Sequence, residues 1–210
     1  MISTDWRSFV PLVRMSTVKC PISAMIAKIR DAAREFCARS RVWVIVSDTA
    51  DLYAGEEVYG LRPPSGVDFC DVLTVRHKGR RIEVRTPEQW RALGYASADT
   101  PQYFTVTEPG LVRLYPVPNE DQAGVLLVEV VAQPSVKSTQ APAFLLNRYG
   151  SIIAQGALAR LLLIPDRPWT DMNSAVVSQR LFEDGIAGAR ITMEQGGGGA
   201  STTVRYRPFF

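Results

Sequence analysis

One apolar segment, from Ala143 to Ile164, constrains the fold more than any other stretch of the sequence. As a helix rising about 1.5 Å per residue, it would span roughly 30 Å, the width of a whole domain. Its first half keeps apolar residues on one helical face, and the opposite face carries Asn147, Ser151 and Gln155. From residue 157 onward the apolar stripe closes around the helix. We therefore predict a helix whose second half is covered on nearly every side.

A membrane span is the competing interpretation of this segment. It would place Arg148, Arg160 and two amide side chains in hydrocarbon, which is costly, so we predict no contact with a membrane. Gly150 and Gly156 weaken the helix, but they also allow a neighbouring backbone to come close.

Two further helices are predicted near residues 21–39 and 171–193, because apolar residues recur there at three- and four-residue steps. The second of these is interrupted by Gly185 and Gly188, and its predicted buried stripe is Ala175, Val176, Phe182, Ile186, Ala189 and Met193. Together with 143–164 they predict a helical bundle formed by residues 1–40 and 141–195.

Between these helices the hydrophobic period changes to two, which is typical of strands. Strands are predicted at 41–47, 67–77, 81–85, 101–107, 111–116 and 123–134, with a short capped helix at 86–94. Short turns join most of them, so the middle of the chain, residues 41–140, is predicted to be an inserted, mainly antiparallel β domain. The fold class is therefore α+β. Residues 196–210 are predicted to be a glycine hinge followed by a C-terminal tail.

Composition and cysteine usage describe an ordinary globular chain. The 210 residues are 46% hydrophobic and carry a net charge of +3, too small to indicate nucleic-acid binding by itself. Cys20, Cys37 and Cys70 have no CxxC spacing, which indicates buried free thiols in a reducing compartment. The first residues do not form a signal peptide, and synthesis in a cytoplasm without export is expected.

Catalytic motifs are missing from the sequence, so we predict that the protein is not an enzyme and needs no cofactor or metal. His77 is the only histidine, and its position at a predicted turn beside Lys78 indicates a solvated side chain whose loss would change little. The nearest carboxylate pairs are Glu56 with Glu57 and Asp68 with Asp71, at expected strand ends. The glycine run lacks the strand, GK[ST] and helix that a phosphate-binding loop requires.

Two groups of residues are candidates for binding. The first is a basic cluster on the predicted hairpin, which could face the phosphates of DNA: Arg76, Lys78, Arg80 and Arg81, with Arg85 and Arg91 beyond it. The second is the tail, where side-chain types that anchor interfaces follow the hinge: Arg205, Tyr206, Arg207, Phe209 and Phe210. We expect residues 200–210 to be disordered in the free protein and ordered on a partner.

The order of several motifs resembles the head-to-tail adaptor (connector) proteins of short-tailed bacteriophages, the group that includes those called tail tubular protein A. The motifs are CP at 20–21, AAREFCARS at 32–40, YGLRPP at 59–64, LYPVP at 114–118, GALARLLLIP at 156–165 and RPW at 167–169. The resemblance covers roughly residues 5–193, without the hinge or the terminus.

This resemblance implies a structural virion protein, made in the host cytoplasm and located at the head-tail junction. It implies a ring, with twelve copies expected, that joins the portal protein to the tail nozzle or tail fibre proteins and encloses the DNA channel. The resemblance assigns no catalytic residue to this sequence. Because 157–164 is apolar all round, we predict that Leu158 and Leu162 lie at the contact between subunits or in the core. A nucleic-acid-binding module that uses the basic hairpin around residues 76–91 remains the alternative.

Overall fold

A computed structural model describes residues 2–46, 50–93 and 98–196. Its α-helices are α1 (Val10–Arg14), α2 (Ile22–Ser40), α3 (Pro87–Arg91), α4 (Ala143–Leu161) and α5 (Met172–Glu194). The strands are β1 (Ser3–Asp5), β2 (Val44–Val46), β3 (Ala50–Leu52), β4 (Val58–Gly60), β5 (Val67–His77), β6 (Arg80–Arg81), β7 (Glu83–Val84), β8 (Tyr103–Glu108), β9 (Leu111–Tyr115), β10 (Gln122–Pro134) and β11 (Gln140–Pro142). The chain is mixed α+β, as predicted.

The three long helices form a layer with one buried core, because each has an apolar face turned toward the others. Helix α2 buries Met25, Ile29 and Phe36 and ends at Arg41, which adopts the left-handed conformation and donates its amide to Cys37. Helix α5 begins at Asp171, whose carboxylate accepts the Ser174 amide and caps the first turn. The helices lie close to their predicted positions.

Two glycines allow α4 and α5 to pack at very short range. A Cβ atom at Gly156 would lie 2.6 Å from the buried Phe182 ring, and one at Gly185 would lie 2.5 Å from Ile152. Neither distance is compatible with a methyl group, so the approach of the two helices requires both glycines. A close approach of a neighbouring element was predicted at Gly156, whereas Gly185 was expected only to interrupt α5.

Ion pairs at the rim of this core join all three helices. Arg160 of α4 contacts Glu35 of α2, and Glu35 also accepts a hydrogen bond from Arg39 at 2.8 Å. Arg39 in turn donates from Nη1 and Nη2 to the two carboxylate oxygens of Glu183 on α5, which lowers the pKa of that carboxyl. Because these side chains are partly exposed, the pairs fix orientation more than they add stability.

The strands form two main sheets that share a second buried core. In the first sheet β10 lies between β5 on one side and β2 and β3 on the other; the second has the order β4, β9, β8, β7. The core joins Val75 of β5 and Val128 of β10 to Phe104 of β8 and Leu114 of β9. Among the strands named above, all pairs are antiparallel except β7 with β8, so the predicted mainly antiparallel character is confirmed.

Several details differ from the sequence prediction. Strand β2 begins at Val44 rather than at residue 41, and the predicted strand 81–85 is divided where the chain leaves the first sheet at the buried Ile82. The short strands β1, β3, β4 and β11 were not predicted; β1 and β11 pair with each other next to the helical layer. On α5, Val176 and Met193 are exposed rather than part of the buried stripe, because the buried face follows Ala175, Phe182, Ile186 and Ala189.

The close packing of α4 and α5 predicts opposite effects for two glycine substitutions. We expect Gly156→Ala to lower the free energy of unfolding by about 1–3 kcal/mol, because its methyl group overlaps Phe182. Gly188→Ala is the matched control on α5, since nothing lies within 4 Å of its added Cβ. Better helix propensity should raise its stability by about 0.5–1 kcal/mol. Urea unfolding of both variants measures the difference; equal effects would contradict the packing argument.

Candidate interaction surfaces

The basic hairpin is formed by β5 and β6, with Lys78 and Gly79 as its two-residue turn. Both turn residues have positive φ, at 48° and 78°, the geometry that suits the twist of a tight hairpin. Arg76 lies opposite Arg81 in the register, so the turn brings the predicted cations Arg76, Lys78, Arg80 and Arg81 together on one exposed ribbon.

Most of these cations are not neutralised. Arg76 lies 3.8 Å from Glu129, but within the described ranges Lys78, Arg80 and Arg81 form no ion pair. Arg85 does not belong to the ribbon, because its amide donates to Phe104 in the second sheet. Its guanidinium pairs with Glu83 at 3.0 Å and lies over the Tyr103 ring. The positive surface is therefore the hairpin itself.

His77 is buried, which contradicts the prediction of a solvated turn residue. It is 6% exposed, and its Nε2 lies 2.8 Å from Oε1 of Gln122. The Gln122 amide nitrogen donates to Glu120, so Oε1 faces the histidine as an acceptor and Nε2 carries the proton. The alternation of Val75 with His77 along β5 was the signal available in the sequence, because residues two apart in a strand share a face.

Within the described residues, no catalytic site is assembled. Three of the four carboxylates of the candidate pairs bind arginines instead: Asp68 pairs with Arg34, Asp71 with Arg41 and Glu57 with Arg113. No group of three or more described histidine, cysteine or acidic residues is placed to hold a metal ion.

The cysteines are free, and burial keeps them in the thiol form. Cys20 and Cys37 are buried as predicted, whereas Cys70 is only half-buried. Burial raises the pKa of Cys37, and it raises the pKa of Cys70 to about 11. At neutral pH neither side chain is the thiolate that nucleophilic chemistry requires.

A groove with a mixed lining lies on the helical layer where α4 and α5 meet the segment after α1. Leu158 and Leu162, the two predicted subunit-contact residues, belong to the buried helical core and line the groove with exposures of 6% and 3%. Val177 and Leu181 of α5 line the same groove with exposures of 60% and 49%. The rest of the lining is polar: Ser16, Gln155, Asp171, Asn173, Ser174 and Ser178. The groove thus places two exposed apolar side chains beside two buried leucines.

A second apolar patch lies on the other side of α1. Met15 is 89% exposed, and it borders a shallow depression with Val10, Pro11 and Ile22. Neither of these exposed apolar sets was predicted from the sequence. The adjacent pair Val176 and Val177 was the available signal, because a single buried stripe on α5 cannot contain both.

The described residues end at Gly196, so the candidate tail residues Arg205 to Phe210 lie outside them. Among the described helices, α4 included, none combines the length and apolarity that a bilayer span demands.

Comparison with protein families decides the relationship suggested by the motifs. A family model described as SU10 adaptor protein matches residues 14–207. The chain belongs to this adaptor family. Membership confirms the predicted resemblance to phage head-to-tail adaptors and gives the protein a structural role in the virion, in contact with portal and tail proteins. A search of curated proteins gives no match.

The matched range also corrects the extent of the resemblance. It begins at residue 14 rather than 5, and it continues through the glycine run to Arg207, beyond the predicted limit at residue 193. Much of the tail is therefore part of the adaptor family's sequence pattern.

Burial of His77 reverses the expectation for its substitution. We expect His77→Ala to lower the free energy of unfolding by about 1–3 kcal/mol, because it opens a cavity and leaves the Gln122 oxygen without its donor. Arg80→Ala, at the paired position across the hairpin, is exposed and should stay within about 0.5 kcal/mol of wild type. Thermal unfolding of both variants tests this; an unaffected His77→Ala protein would contradict the assigned contact.

Proposed function

We propose that the protein is a ring-forming head-to-tail adaptor that joins the portal to the tail and encloses the channel through which the DNA passes. The observation that carries this proposal is the pair of exposed apolar side chains, Val177 and Leu181, in the groove between α4 and α5, because a monomeric adaptor would gain nothing from exposing them beside a helical core. Twelve copies are expected. The helical layer (1–40 and 141–195) and the β domain (41–140) act as two units of each subunit, and the protein has no enzymatic role.

The subunit contact is proposed at this groove. A closed ring needs a heterologous contact, in which one surface of a subunit meets a different surface of the next. The groove that contains Leu158 and Leu162 supplies one surface, and the patch around Met15 supplies a second that differs from it in residues and shape. Val177 and Leu181 are the side chains that would lose most water-exposed area on assembly.

The basic hairpin is proposed to face the DNA, and the same feature supports the second candidate function, a nucleic-acid-binding module. Lys78, Arg80 and Arg81 are exposed cations without ion pairs among the described residues, so they are available to phosphates. Such contacts carry no base specificity.

The two functions differ in what the isolated monomer does. For an adaptor we expect the monomer to be retained only weakly on duplex DNA, and the double variant Arg80→Ala/Arg81→Ala to assemble normally while losing that retention at lower salt. Strong retention of the monomer at physiological salt would favour the nucleic-acid-binding module instead. Elution from immobilised DNA across a salt gradient measures the retention of the wild-type monomer and of the double variant.

The tail is proposed to bind the portal. Residues 200–210 contain Tyr206, Phe209 and Phe210, and eleven residues fully extended reach at most about 35 Å, enough to touch a second protein. Each large apolar side chain contributes roughly 1.5–3 kcal/mol on full burial, before the entropy of ordering is subtracted. In a ring, many weakly binding tails act together, so the ring as a whole binds the portal firmly.

Disrupting the groove should block assembly without unfolding the monomer. Val177→Asp places a charge on an exposed rim position, so we expect stability within about 0.5 kcal/mol of wild type but loss of rings in electron micrographs. Val84→Asp, on β7, is the matched control at 64% exposure and should assemble normally. Rings formed by Val177→Asp as readily as by wild type would place the subunit contact elsewhere.

Deleting residues 200–210 should separate attachment from folding. We expect the truncated protein to melt at nearly the wild-type temperature and to form rings, while its co-sedimentation with the portal is abolished or sharply weakened. A tail with Tyr206, Phe209 and Phe210 each changed to Ser should behave in the same way, since it removes the apolar contacts alone. A much lower melting temperature after truncation would show instead that the tail packs on its own subunit.

A further inference from the structure

A cleft of about 470 Å³ lies where the helical layer meets the first sheet. Its walls come from β1, β2, the turn that precedes β5 and the segment that leads into β11. The lining is mostly apolar, with Ile2, Trp43, Ile45, Val67 and Pro142 as its main hydrophobic residues. This volume suits a small ligand or a few residues of a peptide.

Two buried hydrogen-bonding groups that line this cleft have no partner within residues 2–46, 50–93 and 98–196. Trp43 and Ser138 are 5% and 4% exposed, and neither Nε1 of Trp43 nor Oγ of Ser138 forms a hydrogen bond. The Ser138 carbonyl is already used, because it accepts from Nε1 of Trp6 at 3.2 Å. An unmatched buried donor destabilises a fold unless something else supplies an acceptor. Neither atom touches water, so an occupant must spread the cleft walls to reach them.

Two strands that line the cleft have an unpaired edge in the described part of the chain. Strand β1 pairs with β11 alone, and β2 pairs with β10 alone. An open strand edge accepts an extended segment of another chain, whose backbone continues the hydrogen-bond ladder. These open strand edges favour an extended peptide over a compact small molecule as the occupant of the cleft.

Next to the cleft lining, unpaired cations outnumber unpaired anions. Lys137 and Arg62 lie within two residues of the lining in sequence, and both are exposed and without an ion pair among the described residues. Asp5 on β1 is the acidic counterpart without an ion pair in the same ranges, whereas Asp68 is held by Arg34 at 2.8 Å. The excess of one cation favours an acidic occupant over a basic one.

We propose that this cleft binds an extended acidic segment of another protein, with carbonyl oxygens of that segment accepting hydrogen bonds from Nε1 of Trp43 and Oγ of Ser138. The tail of this chain is excluded as the occupant by charge, because it carries Arg205 and Arg207 and no acidic residue. The site is separate from the groove at Leu158 and from the basic hairpin. It therefore does not depend on ring formation or on the portal contact.

The test uses the full-length protein and the capped peptide Val-Asp-Val-Asp-Val, with Val-Lys-Val-Lys-Val as the charge-reversed probe. Binding is followed by calorimetry and by tryptophan fluorescence. We expect the acidic peptide to bind and the basic one to fail, and we expect Ser138→Ala and Trp43→Phe each to weaken binding by about tenfold, the loss of one hydrogen bond to a carbonyl. Trp169→Phe is the matched control, because Nε1 of Trp169 also lacks a partner but lies outside the cleft.

A second measurement separates binding from folding. Because Oγ of Ser138 has no partner among the residues that the structure describes, Ser138→Ala should melt at or above the wild-type temperature even as it loses affinity for the peptide. If Ser138→Ala lowered the melting temperature and the peptide affinity in parallel, Ser138 would matter to the fold alone, and the proposal would be overturned. The proposal also fails if millimolar acidic peptide does not bind, if all variants bind it equally, or if a single-stranded oligonucleotide displaces it.

Discussion

The close approach of α4 and α5 is the constraint on which the helical layer depends. Gly156 and Gly185 lie on opposite helices, and each accepts a large side chain from the other, Phe182 in one case and Ile152 in the other. This reciprocal fit fixes how far apart the helices lie and how they are rotated. The groove that contains Leu158 and Leu162 results from that rotation, because Val177 and Leu181 are turned to its rim rather than into the core. Core packing and the proposed assembly surface are thus set together.

Strand β10 connects this layer to the sheets. Leu126 and Val128 belong to the core between the two sheets, whereas Ala132, further along the same strand, belongs to the helical core. Arg34 of α2 strengthens the junction by donating both to the Pro134 carbonyl and to Asp68 of β5. A change in either core is therefore felt at this strand, and the cleft at Trp43 and Ser138 lies beside the same junction.

Periodicity predicted the positions of the long elements that carry one dominant apolar pattern. It failed for the shortest strands and for single residues whose burial depends on distant parts of the chain. The long helices and β10 have one dominant apolar pattern, so their positions were predicted closely. Strands β1 and β11 could not be predicted, because three residues carry no period and their pairing joins positions more than 130 residues apart. The prediction of a solvated His77 was wrong because it was based on the neighbouring cations rather than on the alternation of buried and exposed residues along β5. The exposed rim of the groove was missed because an apolar residue gives the same signal whether it faces a core or a partner.

The pairing of β1 with β11 has a consequence for synthesis on the ribosome. The apolar face of α2 is buried by α4 and β10, and Trp6 is held by the Ser138 carbonyl, so residues 1–40 lack most of their packing partners until α4 is completed at Leu161. At about 5–20 residues per second, translating the roughly 120 residues of that interval takes about 6–24 s. During this time a complete amphipathic helix has nowhere to bury its apolar side, and the nascent chain is exposed to aggregation at its N-terminal end.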